Sequence, residues 1–196
     1  RDIAQLLAAL DGEFLLHCGC YFGGGTRLAL LLGEYRESRD IDFLCSSRPG
    51  FRELRSAVES RSLGPIVREP LPMLDPGSTK PMARPALARE VRADRDGIRT
   101  VLALGDARIK FEIILEARLD LVGTMDPALR VPVLSIEHAV AEKLLANADR
   151  GLDRSTLARD LVDLAFLAEA VEREVLSAGV ARAQEAYGAA IIRSLQ

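Results

Sequence analysis

The sequence predicts an α+β fold: a small mixed sheet flanked by helices, followed by a C-terminal helical region. Three observations carry this. Short apolar segments alternate with turn signals as far as residue 134, two longer segments with helical spacing follow, and 196 residues suffice for one core with a helical appendage. The domain expectation is therefore a core over 1–134 and a helical region over 135–196 packed on it. At 48% hydrophobic and 28% charged the composition is that of a globular protein. No apolar run approaches the roughly 20 residues that cross a bilayer, so no membrane partner is expected. A net charge of −3 excludes a generally basic nucleic-acid coat. Charge is uneven, however. Lys80 to Lys110 holds eight Lys/Arg against four Asp/Glu, which reads as solvated surface or as a patch for RNA or triphosphate. Cys18, Cys20 and Cys45 lack a fourth ligand at zinc-like spacing and read as small buried residues; free thiols point to the cytoplasm.

Each element has its own signal. Residues 3–10 have helical spacing and Asp11-Gly12 ends them. Phe14 to Phe22 reads as an apolar strand, with His17 as a core or edge histidine. Thr26 to Leu32 reads as a short buried helix closed by Gly33, Glu34 to Arg39 as a polar loop, and Ile41 to Cys45 as a strand. Residues 51–62 form an amphipathic helix with Phe51, Leu54 and Val58 on one face. Six prolines between Pro65 and Pro85 forbid a regular helix or central strand. That stretch reads as an irregular connector, or as a flap carrying Lys80 and Arg84 to phosphates. Residues 86–94 and 98–104 look like strands joined at Arg95-Asp96-Gly97. Arg108 to Leu115 alternates cleanly, with Glu112 as its one acid: either a solvent-facing position on an edge strand, or a third carboxylate beside Asp40 and Asp42. Residues 116–134 read as a connector. Ser135 caps a helix from Ile136 to Ala148. A last amphipathic helix spans Thr156 to Glu174, burying Leu157, Leu161, Leu164 and Ala168. The tail from Val175 is a helix or helix pair broken at Gly179 and Gly188.

The chemistry concentrates between Phe22 and Phe43. Gly23, Gly24, Gly25 and Thr26 open a helix, a setting in which backbone N–H groups approach phosphate. Asp40 and Asp42 are two apart on a strand and so project to one face. Two carboxylates side by side repel unless a cation lies between them, and hard oxygen ligands suit Mg²⁺. A phosphate cradle next to a metal clamp is what nucleotidyl transfer needs. Gly-Gly-Thr, a thirteen-residue spacer and Asp-Ile-Asp-Phe resemble the first motif of the nucleotidyltransferase superfamily with the polymerase-beta-like fold. The wording Ser38-Arg39-Asp40-Ile41-Asp42-Phe43 is most similar to the AbiEii/AbiGii toxin family of type IV toxin–antitoxin systems.

From spacing alone, Lys143, Asp160 and Asp163 read as an interhelix salt bridge. Glu142-Lys143-Leu144-Leu145, Arg150-Gly151 and Arg159-Asp160-Leu161-Val162-Asp163-Leu164 are similar to that family's later motifs, with Val162 where the family has an aromatic. The resemblance implies an enzyme that moves a nucleoside monophosphate from an NTP to an acceptor hydroxyl. It implies Asp40, Asp42 and Glu112 as ligands of Mg²⁺ or Mn²⁺, with Glu112 also able to take the acceptor proton. Gly24, Gly25, Thr26 and Lys143 then bind the nucleotide phosphates, and Asp160 or Asp163 orients Lys143 or Arg159. It implies RNA or tRNA as acceptor and a cognate antitoxin as partner. A small-molecule acceptor of the aminoglycoside kind is the nearest alternative, and a non-catalytic nucleotide-binding protein is the third.

Overall fold

A computed structural model describes residues 2–75, 81–150 and 159–195. They fall into two compact units: Arg1–Gly23 with Arg39–Val133, and Gly24–Ser38 with Leu134–Gln196. Lys80 of the anticipated flap, Gly151 of the later motif and the start of the anticipated helix at Thr156 and Leu157 lie outside the described residues.

The first unit is a mixed sheet with helices. Its strands are β1 (Cys20–Phe22), β2 (Ile41–Cys45), β3 (Met82–Leu87), β4 (Arg92–Ala93), β5 (Gly97–Gly105), β6 (Ala107–Leu115), β7 (Gly123–Asp126) and β8 (Val131–Leu134). Among the described residues they order as β3-β5-β6-β2-β1-β8-β7, with β4 also on β5. β1 and β2 are antiparallel. So are β5 and β6, which turn at Gly105, where φ is +56° and glycine is favoured. β2 and β6 are parallel, pairing Asp42 with Glu112 and Phe43 with Ile113. One sheet face is the core. Phe22, Phe43 and Phe111 are fully buried on three adjacent strands, with ring centroids 5.5 and 6.0 Å apart. Burying each such ring stabilises the fold by roughly 1.5–3 kcal/mol. Because side chains alternate along a strand, Asp42 and Glu112 fall on the opposite face.

Helices α1 (Asp2–Ala8), α2 (Gly12–His17) and α4 (Arg48–Ala57) complete this unit. Two sequence expectations change here. Asp11 does not merely end α1. Its carboxylate accepts from the Phe14 backbone N–H at 3.0 Å and caps α2, so helix replaces strand up to His17 and only Cys20–Phe22 is β. His17 is not a core group: its ring is 70% exposed and lies 3.5 Å from Glu53. Ser47 caps α4, which starts at Arg48 and buries Phe51 and Leu54. The proline-rich connector supplies a 3-10 turn, Gly64–Ile66, and then β3, which takes in Pro85 and has an irregular register between Met82 and Ala86. Two strands emerge from the connector at 116–134. β8 carries Pro132, and its pairing with β1 is confined to Phe22 and Val133. All three cysteines are buried and free; burial pushes the Cys18 thiol up to about 12.

The second unit holds α3 (Gly24–Leu31), α5 (Ile136–Arg150), α6 (Arg159–Ala170), α7 (Arg173–Tyr187) and α8 (Ala190–Arg193). The Ser135 hydroxyl caps α5 by accepting from the His138 backbone N–H at 3.3 Å. Gly179 does not break α7. A Cβ there would lie 2.6 Å from Val140 Cβ, so the glycine lets α7 close on α5. Gly188, at φ +55°, does end α7. The buried face of α6 is the reverse of expectation: Asp160, Asp163 and Leu167 are buried while Leu161 is 37% exposed. Among the described residues no helix is long and apolar enough to cross a membrane.

Candidate active site

The carboxylates lie in the first unit. Parallel register sets Asp42 of β2 beside Glu112 of β6, and antiparallel register sets Arg99 of β5 on the other side of Glu112. Strands stand about 4.8 Å apart, so Arg99, Glu112 and Asp42 form one row across the sheet. The Glu112 carboxylate meets Lys110 Nζ at 2.6 Å and Arg99 Nε at 3.3 Å. Arg99 is itself steadied by Asp94 at 3.0 Å. Asp94 also accepts the backbone N–H groups of Asp96 and Gly97, which builds the turn into β5. Those backbone N–H groups hold the Asp94 carboxyl below its ordinary value. β6 is interior to the sheet, so Glu112 is not an edge-strand acid. Asp40 is exposed, one residue before β2, and shares the strand line of Asp42.

Among the described residues no three His, Cys, Asp or Glu side chains are gathered as a metal cage. Glu112 is occupied by Lys110 and Arg99 instead. The donor set nevertheless fits a hard divalent cation. It is all carboxylate oxygen, with two members in register and a third, Asp40, just before the strand that carries Asp42.

An open groove of about 1280 Å³ in this unit is lined by the acids Asp40, Asp75, Glu90 and Glu112 and by Arg61, Arg89, Arg92, Arg99, Arg108 and Lys110. The basic excess noticed between Lys80 and Lys110 is thus largely one surface, the one that holds two of the three candidate carboxylates.

The residues anticipated to bind nucleotide all lie in the second unit. Lys143 Nζ is 2.8 Å from Asp160 and 2.7 Å from Asp163, and its side chain is only 10% exposed. Asp160 also accepts from Arg150 Nε at 2.9 Å. Asp163, wholly buried, accepts from Tyr35 Oη at 2.5 Å, Arg36 Nε at 2.6 Å and Arg36 Nη2 at 2.8 Å. Burial works against both aspartate charges. Arg150 and Lys143 around Asp160, and Arg36, Lys143 and Tyr35 around Asp163, prevail and hold both pKa values below the usual carboxylate range. Burial and the Asp163 hydrogen bond push the Tyr35 phenol up. The Tyr35 ring stacks on Phe166 of α6 with centroids 4.0 Å apart. Thr26 is 2% exposed and its hydroxyl donates to Ser38 Oγ at 2.8 Å.

Sequence reading missed Tyr35, Arg36 and Arg99. Arg36 sits in a segment that reads as an ordinary polar loop. The signal that finds it is Gly25, on which its guanidinium rests: a Cβ at Gly25 would lie 2.0 Å from Arg36 Nη2.

The family profile described as Nucleotidyl transferase AbiEii toxin, Type IV TA system, matches residues 5–194. No curated protein matches the chain. Two solved structures resemble it over most of their length. One is a candidate nucleotidyltransferase from H. pylori, at 14% identity and a TM-score of 0.38, covering 98% of this chain and 96% of that one. The other is JHP933 from Helicobacter pylori, at 15% identity and a TM-score of 0.38, covering 98% of this chain and 93% of that one.

Proposed function

Since the chain belongs to the AbiEii nucleotidyl transferase toxin family of type IV toxin–antitoxin systems, we propose that this nucleotidyltransferase moves a nucleoside monophosphate from an NTP to a hydroxyl of RNA, tRNA foremost. The observation that carries the acceptor is the groove. Six cationic side chains outnumber its four acids, Asp40, Asp75, Glu90 and Glu112, a balance that favours a polyanion over a cationic drug.

In the reaction the acceptor oxygen bonds to the α-phosphorus, the bond from that phosphorus to pyrophosphate breaks, and the hydroxyl proton leaves. Asp40, Asp42 and Glu112 would hold Mg²⁺ or Mn²⁺, which when bound supplies positive charge to the phosphate oxygens and acidifies the acceptor hydroxyl. Glu112 takes the acceptor proton, and the neighbouring Lys110 and Arg99 fix the position of its carboxylate. The backbone of Gly24 and Gly25, the Thr26 hydroxyl and Lys143 meet the β- and γ-phosphates. Asp160 and Asp163 hold Lys143 in place, so that its charge offsets that of the departing pyrophosphate. A cognate antitoxin is the expected partner and the cytoplasm the expected compartment, in keeping with three free thiols.

The test is transfer of label from each α-labelled NTP to total tRNA with Mg²⁺ or Mn²⁺. Asp42→Ala is expected to lower transfer by at least about a thousandfold, as loss of a ligand and its charge at the reacting phosphate should. Full transfer by Asp42→Ala would overturn the assignment. Labelling of no RNA alongside intact NTP binding would move the acceptor to another class.

A further inference from the structure

We propose that Arg36 is a triphosphate ligand of this enzyme, seated for that task by Gly25 and Asp163. The ligand class rests on the nucleotidyl-transfer reading; the seat rests on contacts within the second unit.

Lys143, the cation the sequence points to, has two of its three N–H directions taken by Asp160 and Asp163, and the pair exceeds its charge. Around these two carboxylates stand three cations, Arg36, Lys143 and Arg150. Arg36 is the one that reaches the glycine run. Its Nε and Nη2 fork onto Asp163, and its Nη1 donates to the Glu37 carbonyl at 3.2 Å. Each Nη nitrogen keeps a second N–H beyond these bonds. A guanidinium held on one side by a carboxylate and keeping further donors is suited to phosphate oxygens. Its Nη2 end abuts Gly25, whose ideal Cβ would lie 2.0 Å from Nη2 and 3.1 Å from Cζ. The glycine is thus required by the arginine above it. Asp163 is the positioning residue, wholly buried and fixed from three sides.

The experiment measures binding of inorganic tripolyphosphate and of each of the four NTPs, by calorimetry, to wild type, Arg36→Gln, Arg36→Lys, Gly25→Ala and the Gly25→Ala/Arg36→Gln double variant. Arg36→Gln should weaken tripolyphosphate and all four NTPs by the same factor, at least about tenfold, the ordinary loss for a charge-assisted contact. Arg36→Lys should recover part of it. Gly25→Ala should weaken binding comparably by displacing the guanidinium, and should cost nothing further once Arg36 is Gln. Tyr35→Phe is the control for stability, since it removes one Asp163 hydrogen bond and keeps the cation; it should melt lower and yet lose less tripolyphosphate affinity than Arg36→Gln does. Wild-type affinity in a folded Arg36→Gln overturns the proposal, and so does full additivity of Gly25→Ala with Arg36→Gln. Triphosphate binding that depends on Arg36 without any transfer would sink the nucleotidyl-transfer reading and leave this one standing. No triphosphate binding by wild type would sink both.

Discussion

Asp163→Asn separates the structural claim for α6 from what its hydrophobic pattern suggests. Asp163 is 0% exposed and receives the Tyr35 hydroxyl, two Arg36 donors and the Lys143 ammonium, all between 2.5 and 2.8 Å. An amide of the same shape has one accepting oxygen, and its NH₂ faces cationic donors that it cannot satisfy. Two cations also lose their shared counter-charge. Removing one partner from a buried ion cluster costs about 3–5 kcal/mol. Asp160 still holds Lys143 in the variant, which favours the low end, about 3 kcal/mol. For a chain of this length that lowers the melting temperature by about 6–12 °C. The assay is thermal unfolding followed by far-ultraviolet circular dichroism at neutral pH, beside Leu161→Gln. Leu161 is 37% exposed, so its replacement should change stability by no more than about 0.5 kcal/mol. The periodic pattern of leucines predicts the opposite ranking. If Leu161→Gln melts well below wild type and Asp163→Asn does not, the ion cluster is not what anchors α6.

Acid should act on the same cluster. The folded pKa values of Asp160 and Asp163 lie below their unfolded values. Their stabilisation is therefore present above the unfolded carboxylate pKa near about 3.9 and is lost as pH falls through the folded values. Melting temperature should fall more steeply for wild type than for Asp160→Asn below about pH 4; parallel curves would refute this. Gly179→Ala should destabilise by about 1–3 kcal/mol through overlap with Val140, although alanine favours a helix by about 1 kcal/mol; a higher melting temperature would show that the α5–α7 contact yields. In the groove, Arg92→Gln should weaken tRNA binding and lower the slope of log affinity against log salt by about 0.7–0.9; an unchanged slope would remove Arg92 from any phosphate contact.

Much of the fold is legible because local signals and tertiary placement agree. Ile41–Cys45 and the strand ending at Leu115 come straight from alternation, and Ser135 marks the start of α5 as a capping hydroxyl. The misreadings have specific causes. Asp11 is compatible with ending one helix or starting the next, and only its bond to Phe14 decides. β7 and β8 are four residues each, and Pro132 disguises the second. On α6 the rule that leucines face inward is overridden by aspartates whose charge is met by Lys143, Arg150 and Arg36, distant in sequence. The candidate carboxylates are legible as residue types. That Asp42 and Glu112 share a row, and that Arg99 continues it, depends on strand order, which local periodicity does not encode.

The row of Arg99, Glu112 and Asp42 also has a temporal side. Its members come from strands far apart in the chain, and the β2–β6 pairing spans about 70 residues whereas β5 and β6 are joined by a tight turn. Such non-local pairing forms late and slowly compared with local helices. Lys143, Asp160 and Asp163 follow later still in the order of synthesis. A nascent chain released before α6 therefore lacks part of either the carboxylate set or the cation cluster. For a member of a toxin family, and with the site residues as proposed, chain order would act as a safeguard: truncated translation products carrying the glycine run and the Asp-x-Asp strand are expected to lack activity.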